Sequence, residues 1–302
     1  MNLESPIVQA FDGLLYADAF DCALTLEEIH RFSRIKTSQE QLRSWLELPC
    51  ISNFFHHESG YYQLRQRENI VSSRADAMTR ARKLSERATR TARWIQLLPY
   101  VRGTVLTGSV AAADADSEAD IDFLIIVAES KIPLVFFVLG GFSRLTVRKL
   151  FCPNYYLSES HLSISRRDFY VAREISQAIS LTGVGSEFFV ANRWVNQELP
   201  NGAPKANRSR PIPGTRFIQK FLELLCDTIF CKGVESRLKS LAEKRLAYHY
   251  QLQGIPVPEV VKIGFQEGKE LRFHAGNGAG NALRRYEKNR EAFLHHLEHF
   301  NE

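Results

Sequence analysis

Leu106-Thr-Gly-Ser-Val110 and, after a short loop, Glu118-Ala-Asp-Ile-Asp-Phe-Leu-Ile-Ile-Val127 decide the reading of this chain. The β-branched run from Gly103 to Thr107 predicts a strand that turns at Gly108-Ser109. Glycine permits positive φ and close approach of another group to the backbone. Val110 to Ala113 can then start a helix, whose first N–H groups are free for phosphate oxygens. Asp120 and Asp122 follow at the start of an apolar strand, Ile121 to Val127. Side chains at i and i+2 share a face of a strand, whereas Ile121 and Phe123 point the other way, into a core. Two neighbouring carboxylates repel unless a cation lies between them. Oxygen ligands favour Mg²⁺ or Mn²⁺, ions that also bridge triphosphate oxygens. This chemistry suits metal-assisted phosphoryl or nucleotidyl transfer. The acidic run Asp114, Asp116, Glu118, Asp120, Asp122 is not an EF-hand, because Ala119 and Ile125 stand where the loop needs Gly and Glu. Asp114 and Asp116 are therefore expected to be solvated loop residues.

Upstream, Ile70 to Leu98 contains neither Gly nor Pro and predicts a long helix ended by Pro99. From Arg65 to Arg93 there are nine Arg or Lys residues against three acids. Such a basic stretch suits a polyanion, and the Arg74 to Arg93 helix is expected to help neutralise phosphate charge; a solvated helix face is the alternative. Before it, residues 1–65 read as three helices and a hairpin. Ile7, Phe11, Leu14 and Leu15 recur at helical spacing; Thr25 and Glu28 form a capping-box pattern leading to Phe32; Ser38 to Leu48 is the third helix. Strands are expected at Ile51 to Phe55 and Tyr61 to Leu64, around the turn His56 to Gly60. Three helices with a two-stranded wing resemble a winged helix-turn-helix. Its third helix carries one base, Arg43, beside Glu40 and Glu47. That favours docking or dimerisation over DNA binding, which would need more Lys and Arg there.

Downstream, Leu134 to Leu150 is expected to be helical and Cys152 to Leu157 a strand. Helices are expected over Phe169 to Ile179 and Glu187 to Val195. Leu199 to Pro213 reads as a linker or surface loop, followed by helices over Arg216 to Phe230, Glu235 to Tyr250 and Ala282 to Phe300. His274, the glycine-rich stretch Ala275 to Gly280, Trp194 and the trio His295, His296 and His299 are read as core, loop and polar-face residues rather than ligands.

The combination of Gly108-Ser109 with Asp120-Ile121-Asp122, flanked by strands, resembles the signature of the polymerase-β-type nucleotidyltransferase superfamily. Cys152-Pro-Asn-Tyr-Tyr-Leu157, Tyr170-Val-Ala-Arg-Glu-Ile175, Ala191-Asn-Arg-Trp194 and Arg272-Phe-His274 extend the likeness to a poorly characterised group of prokaryotic nucleotidyltransferase-domain proteins. The resemblance implies an α+β fold: a small mixed-sheet nucleotidyltransferase core at 66–198, entered through the basic helix. The winged-helix-like lobe at 1–65 precedes it, and a helical C-terminal region occupies 199–302. It implies Asp120 and Asp122 as Mg²⁺ (or Mn²⁺) ligands, Gly108 and Ser109 holding a nucleoside triphosphate, and transfer of a nucleoside monophosphate to an unidentified hydroxyl acceptor. Ala119 departs from the usual Ser, and the loop after Gly-Ser lacks a glycine that many members have. Active members also place a third carboxylate on the next strand, where this chain has Asn154; Asn154 is expected to help hold the cofactor, by a hydrogen bond or as a weak metal ligand, and Glu174 or Glu159 to substitute as the carboxylate. A catalytically lapsed member, acting as a nucleotide-, DNA- or protein-binding regulatory module, is the alternative.

With 302 residues and five scattered cysteines, none in a C-x-x-C pair, the chain is long enough for two or three compact units with reduced thiols. Met1 to Ala10 lacks a secretory pattern, so a cytoplasmic location is expected. Ile132 to Phe142 is too short for a membrane span.

Overall fold

The computed structural model describes residues 6–65, 67, 70–145, 151–202, 215–229, 232–252, 254, 256–272 and 277–300. His274, Cys231 and residues 203–214, which fall within stretches singled out above, lie outside them.

The first unit runs α1 (Pro6–Asp18), β1 (Leu24–Thr25), α2 (Leu26–Phe32), α3 (Gln39–Leu46), α4 (Pro49–Ser52), β2 (Phe55–Glu58) and β3 (Tyr61–Leu64). Thr25 caps α2 as expected: its hydroxyl accepts from the Glu28 N–H and the Glu28 carboxylate accepts from the Thr25 N–H. Ser38 caps α3 in the same way, through the Gln41 N–H. The three strands form an antiparallel sheet ordered β1-β3-β2. The first hairpin strand lies later than expected, because Pro49 opens a turn of helix where Ile51 to Phe55 read as strand. The hairpin turns on Ser59 (φ 51°) and Gly60 (φ 83°). That positive-φ pair matches the twist of the flanking strands.

α5 (Ile70–Ile95) leads into the second sheet, built from β4 (Val101–Thr107), β5 (Asp122–Val127), β6 (Cys152–Ser158), β7 (Ile179–Gly183) and β8 (Glu270–Arg272). A one-turn helix, α6 (Gly108–Ala111), follows β4, and α7 (Ile132–Leu145) connects β5 to β6. Between β6 and β7 lies α8 (Phe169–Gln177); α9 (Gly185–Ala191) and α10 (Val195–Glu198) follow β7. The remaining helices are α11 (Thr215–Ile229), α12 (Lys232–Leu252), α13 (Glu259–Gln266) and α14 (Asn277–His299).

The strand order is β7-β4-β5-β6-β8, with β5 parallel to β6 and every other pair antiparallel. The fold is thus α+β with a mixed sheet. β7, β8 and α13 were not expected. β7 is a short edge strand that starts at the last residue of the expected Phe169 to Ile179 helix and fills the gap after it, and β8 has three residues, too few to show a period. β8 also brings the C-terminal region into the central sheet, so that region is not wholly helical.

The sheet separates two cores. Leu124, Ile126, Val105 and Leu157 join one buried cluster with α1, α8 and Phe293 of α14. Phe123, Ile125, Val127 and Tyr156 join the other, with α7, α12 and Ala81, Ala88 and Ala92 of α5. This two-sided burial explains the unbroken apolar run of β5. Each such side chain contributes about 1.5–3 kcal/mol on leaving water. α14 returns to the start of the chain: Arg290 donates to the buried Asp12, Asn289 donates to Leu15 O, and Phe293 packs on Phe11, Phe54 and Phe55. His296 is within hydrogen-bond distance of Cys50 O, so it belongs to this seam rather than to a purely polar face. Trp194 is half-buried against the first core, its Nε1–H donated to the buried Asn192. No helix among the described residues is long and apolar enough to cross a membrane.

Candidate functional site

The end of β4 lies opposite the start of β5, with Thr107 paired to Asp122. The next residue, Gly108, has φ 69°, and a Cβ there would run into the Asp122 carboxylate. Glycine is therefore required twice, for its backbone conformation and for the space that the carboxylate occupies. Asp122 has the same strand parity as Leu124 and Ile126, so it faces the side of the sheet covered by α1 and α8. Asp120 lies just before β5.

β6 runs alongside with Cys152 in register with Asp122. Asp120, Asp122 and Cys152 each present one ligand atom, all within 4.8 Å of one another. All three are half-buried. The Asn154 amide donates to Asp122 Oδ1 at 2.6 Å. Glu174 comes from α8 and lines the same space as Gly108. Burial, the Asp120 charge and the Glu174 charge push the Asp122 carboxyl up to about 8. Burial also pushes Glu174 up, although Arg173, the Gly108 N–H and Arg272 pull it back. Burial and the two aspartates push the Cys152 thiol up as well. The cluster therefore favours protons or a cation over bare negative charge.

A cavity of about 580 Å³ lies beside these groups. Gly108, Ser109, Asp122, Asn154 and Glu174 all line it; Asp120 and Cys152 do not. α1, β1, α2 and the first half of α5 supply its opposite wall, so the N-terminal unit completes the site. Glu159 is excluded as the third carboxylate. Its N–H donates to Val127 O, at the far end of β5, and its side chain pairs with Arg102.

Four arginines reach this cavity: Arg74, Arg80, Arg173 and Arg272. Arg74 is only 2% exposed and pairs with Glu28 and Asp114, each at 2.9 Å. Asp114 is thus an ion-pair partner rather than a solvated loop residue, a pairing hidden by a separation of forty positions. Asp116 fits the expectation: it is exposed and its Oδ1 accepts the Glu118 N–H. Arg80 donates to Ala115 O. Arg173 is 5% exposed, donates to Gly13 O, and lies over the Tyr16 and Phe32 rings. Burial lowers its hold on its proton. Among the described residues, Tyr16 Oη and Arg74 Nε are buried without hydrogen-bond partners, and both residues line the cavity.

Sequence reasoning missed Arg173, Arg272, Cys152 and Glu28 as neighbours of the site. The stretches holding Arg173 and Cys152 stand out as sequence features, but an arginine or cysteine in them has no spacing that names its role. No family model, curated protein or solved structure matches the chain.

Proposed function

We propose that the chain is a divalent-cation-dependent nucleotidyltransferase of the polymerase-β type, which moves a nucleoside monophosphate from a nucleoside triphosphate to a hydroxyl acceptor. One observation carries this reading: Asp122, beside Asp120 and within the field of Glu174, stands against the Gly108-Ser109 turn at the wall of a cavity that four arginines reach. The residues fit a divalent cation, because the carboxylates crowd together and burial leaves Asp122 poorly compensated. Asp120 and Asp122 would hold it, with Cys152 within reach. When bound, Mg²⁺ or Mn²⁺ supplies charge neutralisation at phosphate oxygens and polarises the acceptor hydroxyl.

The chain's own groups do the rest. Ser109 and Arg272 border the space for the triphosphate. Arg173, held over two aromatic rings, keeps positive charge at the back of the cavity. Tyr16 and Arg74 line the same space, and Arg74 adds to its positive charge. Glu174 stands in for the third carboxylate and accepts the acceptor's proton, a role helped by a raised proton affinity. Most of the rate enhancement would come from positioning and charge stabilisation.

The order β1, α2, α3, β2, β3 and the sheet β1-β3-β2 support the winged-helix-like reading of the N-terminal unit. This unit offers a surface for a protein or nucleic acid beyond its role in the cavity wall. A cytoplasmic site of action is part of the same reading.

Asn154 favours the second reading, a lapsed transferase that binds nucleotide without turning it over. It fills the place on β6 where active members of the superfamily carry an acid. The deciding experiment incubates the protein with each α-phosphate-labelled nucleotide and Mg²⁺ or Mn²⁺, and measures pyrophosphate release and melting temperature together. Release abolished by Asp122→Asn supports the enzyme. A Mg²⁺-nucleotide melting shift without release supports the lapsed form, and neither effect removes both readings.

A further inference from the structure

α5 carries a stripe that begins at the cavity and runs away from it. Arg80, Lys83, Arg87, Arg90 and Trp94 follow the spacing i, i+3, i+7, i+10, i+14, so they lie along one side of the helix. Lys83, Arg87 and Arg90 are exposed, and no ion pair among the described residues engages them. Trp94 is 73% exposed. The buried side of α5, marked by Ala77, Ala81, Ala88 and Ala92, faces away from the stripe. Only Arg82, off the stripe, meets an acid on this stretch: Glu86 at 3.9 Å, a weak exposed pair.

A solvated face explains the charges but not an indole left in water among them. Hydrophobic aromatic area is costly to expose, and a flat ring beside guanidinium groups suits a partner with both negative charge and planar apolar faces. An acidic protein surface supplies the charge, whereas every nucleotide of a single strand carries a stacking face beside its phosphate. The stripe also has a direction. Arg80 belongs to both the stripe and the cavity wall. From Arg80 to Trp94 the helix spans about 21 Å at 1.5 Å per residue.

We propose that this side of α5 binds a single-stranded nucleic acid, with a base stacked on Trp94 and phosphates on Arg90, Arg87 and Lys83, so that the strand's end enters the cavity at Arg80. The acceptor hydroxyl of the proposed transfer is then a terminal ribose or deoxyribose hydroxyl. That last step rests on the nucleotidyltransferase reading; the binding surface does not.

The test uses the full chain in EDTA without nucleotide, so its outcome is independent of transfer. Fluorescein-labelled single-stranded RNA, single-stranded DNA and a duplex are titrated by anisotropy at several salt concentrations. Arg87→Glu/Arg90→Glu is expected to weaken binding at least about ten-fold and to flatten the salt dependence. Trp94→Ala should weaken it by about ten-fold while leaving the salt slope unchanged, since stacking releases no counterions. Arg43→Glu, on α3, should leave it unchanged. All variants alter exposed side chains, and equal melting temperatures would establish that they fold. Binding of either single strand with this pattern upholds the proposal and identifies the polymer. Absence of binding, preference for the duplex, indifference to Trp94→Ala, or loss with Arg43→Glu in place of the α5 variants overturns it. Nucleotide transfer to a small molecule by a protein that ignores these strands would sink this surface alone. Strand binding without any transfer would sink the enzyme reading alone.

Discussion

Asn154, on β6, donates its amide across 2.6 Å to Asp122 Oδ1 on the neighbouring strand β5. In the cation-free protein this bond removes a repulsion that a third carboxylate on β6 would add. Asn154→Asp is therefore expected to lower cation-free stability by about 1–3 kcal/mol, through a lost donor and an added like charge. The same variant should regain stability with Mg²⁺ or Mn²⁺ and bind the ion more tightly than wild type. Denaturant unfolding with and without the ion measures both. Equal stability in EDTA would show that the two side chains do not share the site in solution.

Asp122 makes stability depend on pH. Its carboxyl is raised to about 8 in the folded protein, so the native state favours the protonated acid. The unfolded chain releases that proton near pH 4. The stabilisation is complete below that point and is lost as pH rises through about 8. In EDTA, wild type should lose stability relative to Asp122→Asn across this window. The loss is at most about 1.4 kcal/mol per pH unit, and less because the group is only half-buried. Unfolding curves for both proteins at a series of pH values test this; parallel curves would contradict it.

Gly108→Ala should be costly for two separable reasons. The left-handed backbone costs an L-residue about 1–2 kcal/mol. The new methyl group also collides with the Asp122 carboxylate. An Asp122→Ala background removes the carboxylate and leaves the backbone penalty with a close contact to the remaining Cβ, so the double-mutant cycle should show coupling between the two positions. Additive effects would mean that the turn and the carboxylate are not in contact.

Cys152 should respond to soft metals. Its sulfur lies among the two aspartates, and thiolate prefers Cd²⁺ or Zn²⁺ to Mg²⁺. Cd²⁺ titration is expected to produce a sulfur-to-metal ultraviolet band that Cys152→Ser removes, and to block Mg²⁺-dependent nucleotide stabilisation. A band that persists in Cys152→Ser would assign it to another thiol.

The short-range features of this molecule were legible in the sequence. Thr25 and Glu28 announced the start of α2 because a capping box is closed within one turn. Asp122 and Phe123 disclosed that they take opposite sides of β5, because strand parity is a local property. Gly108 could be named for its turn. What tertiary structure alone decided are the relations between distant parts. Glu174, rather than Glu159, reaches the site because α8 crosses the end of β4, whereas Glu159 leaves β6 at the opposite end of β5. Arg74 pairs with Glu28 and Asp114, residues far from it on either side in the chain. β8 is three residues long and gains its stability from β6 rather than from any pattern of its own. α14 closes on α1 through Arg290, Asn289 and Phe293, although the two helices stand at opposite ends of the described chain. Periodicity and capping record interactions among neighbours in sequence; pairing of buried charges and strand edges depends on which distant surfaces meet, and only the assembled fold determines that.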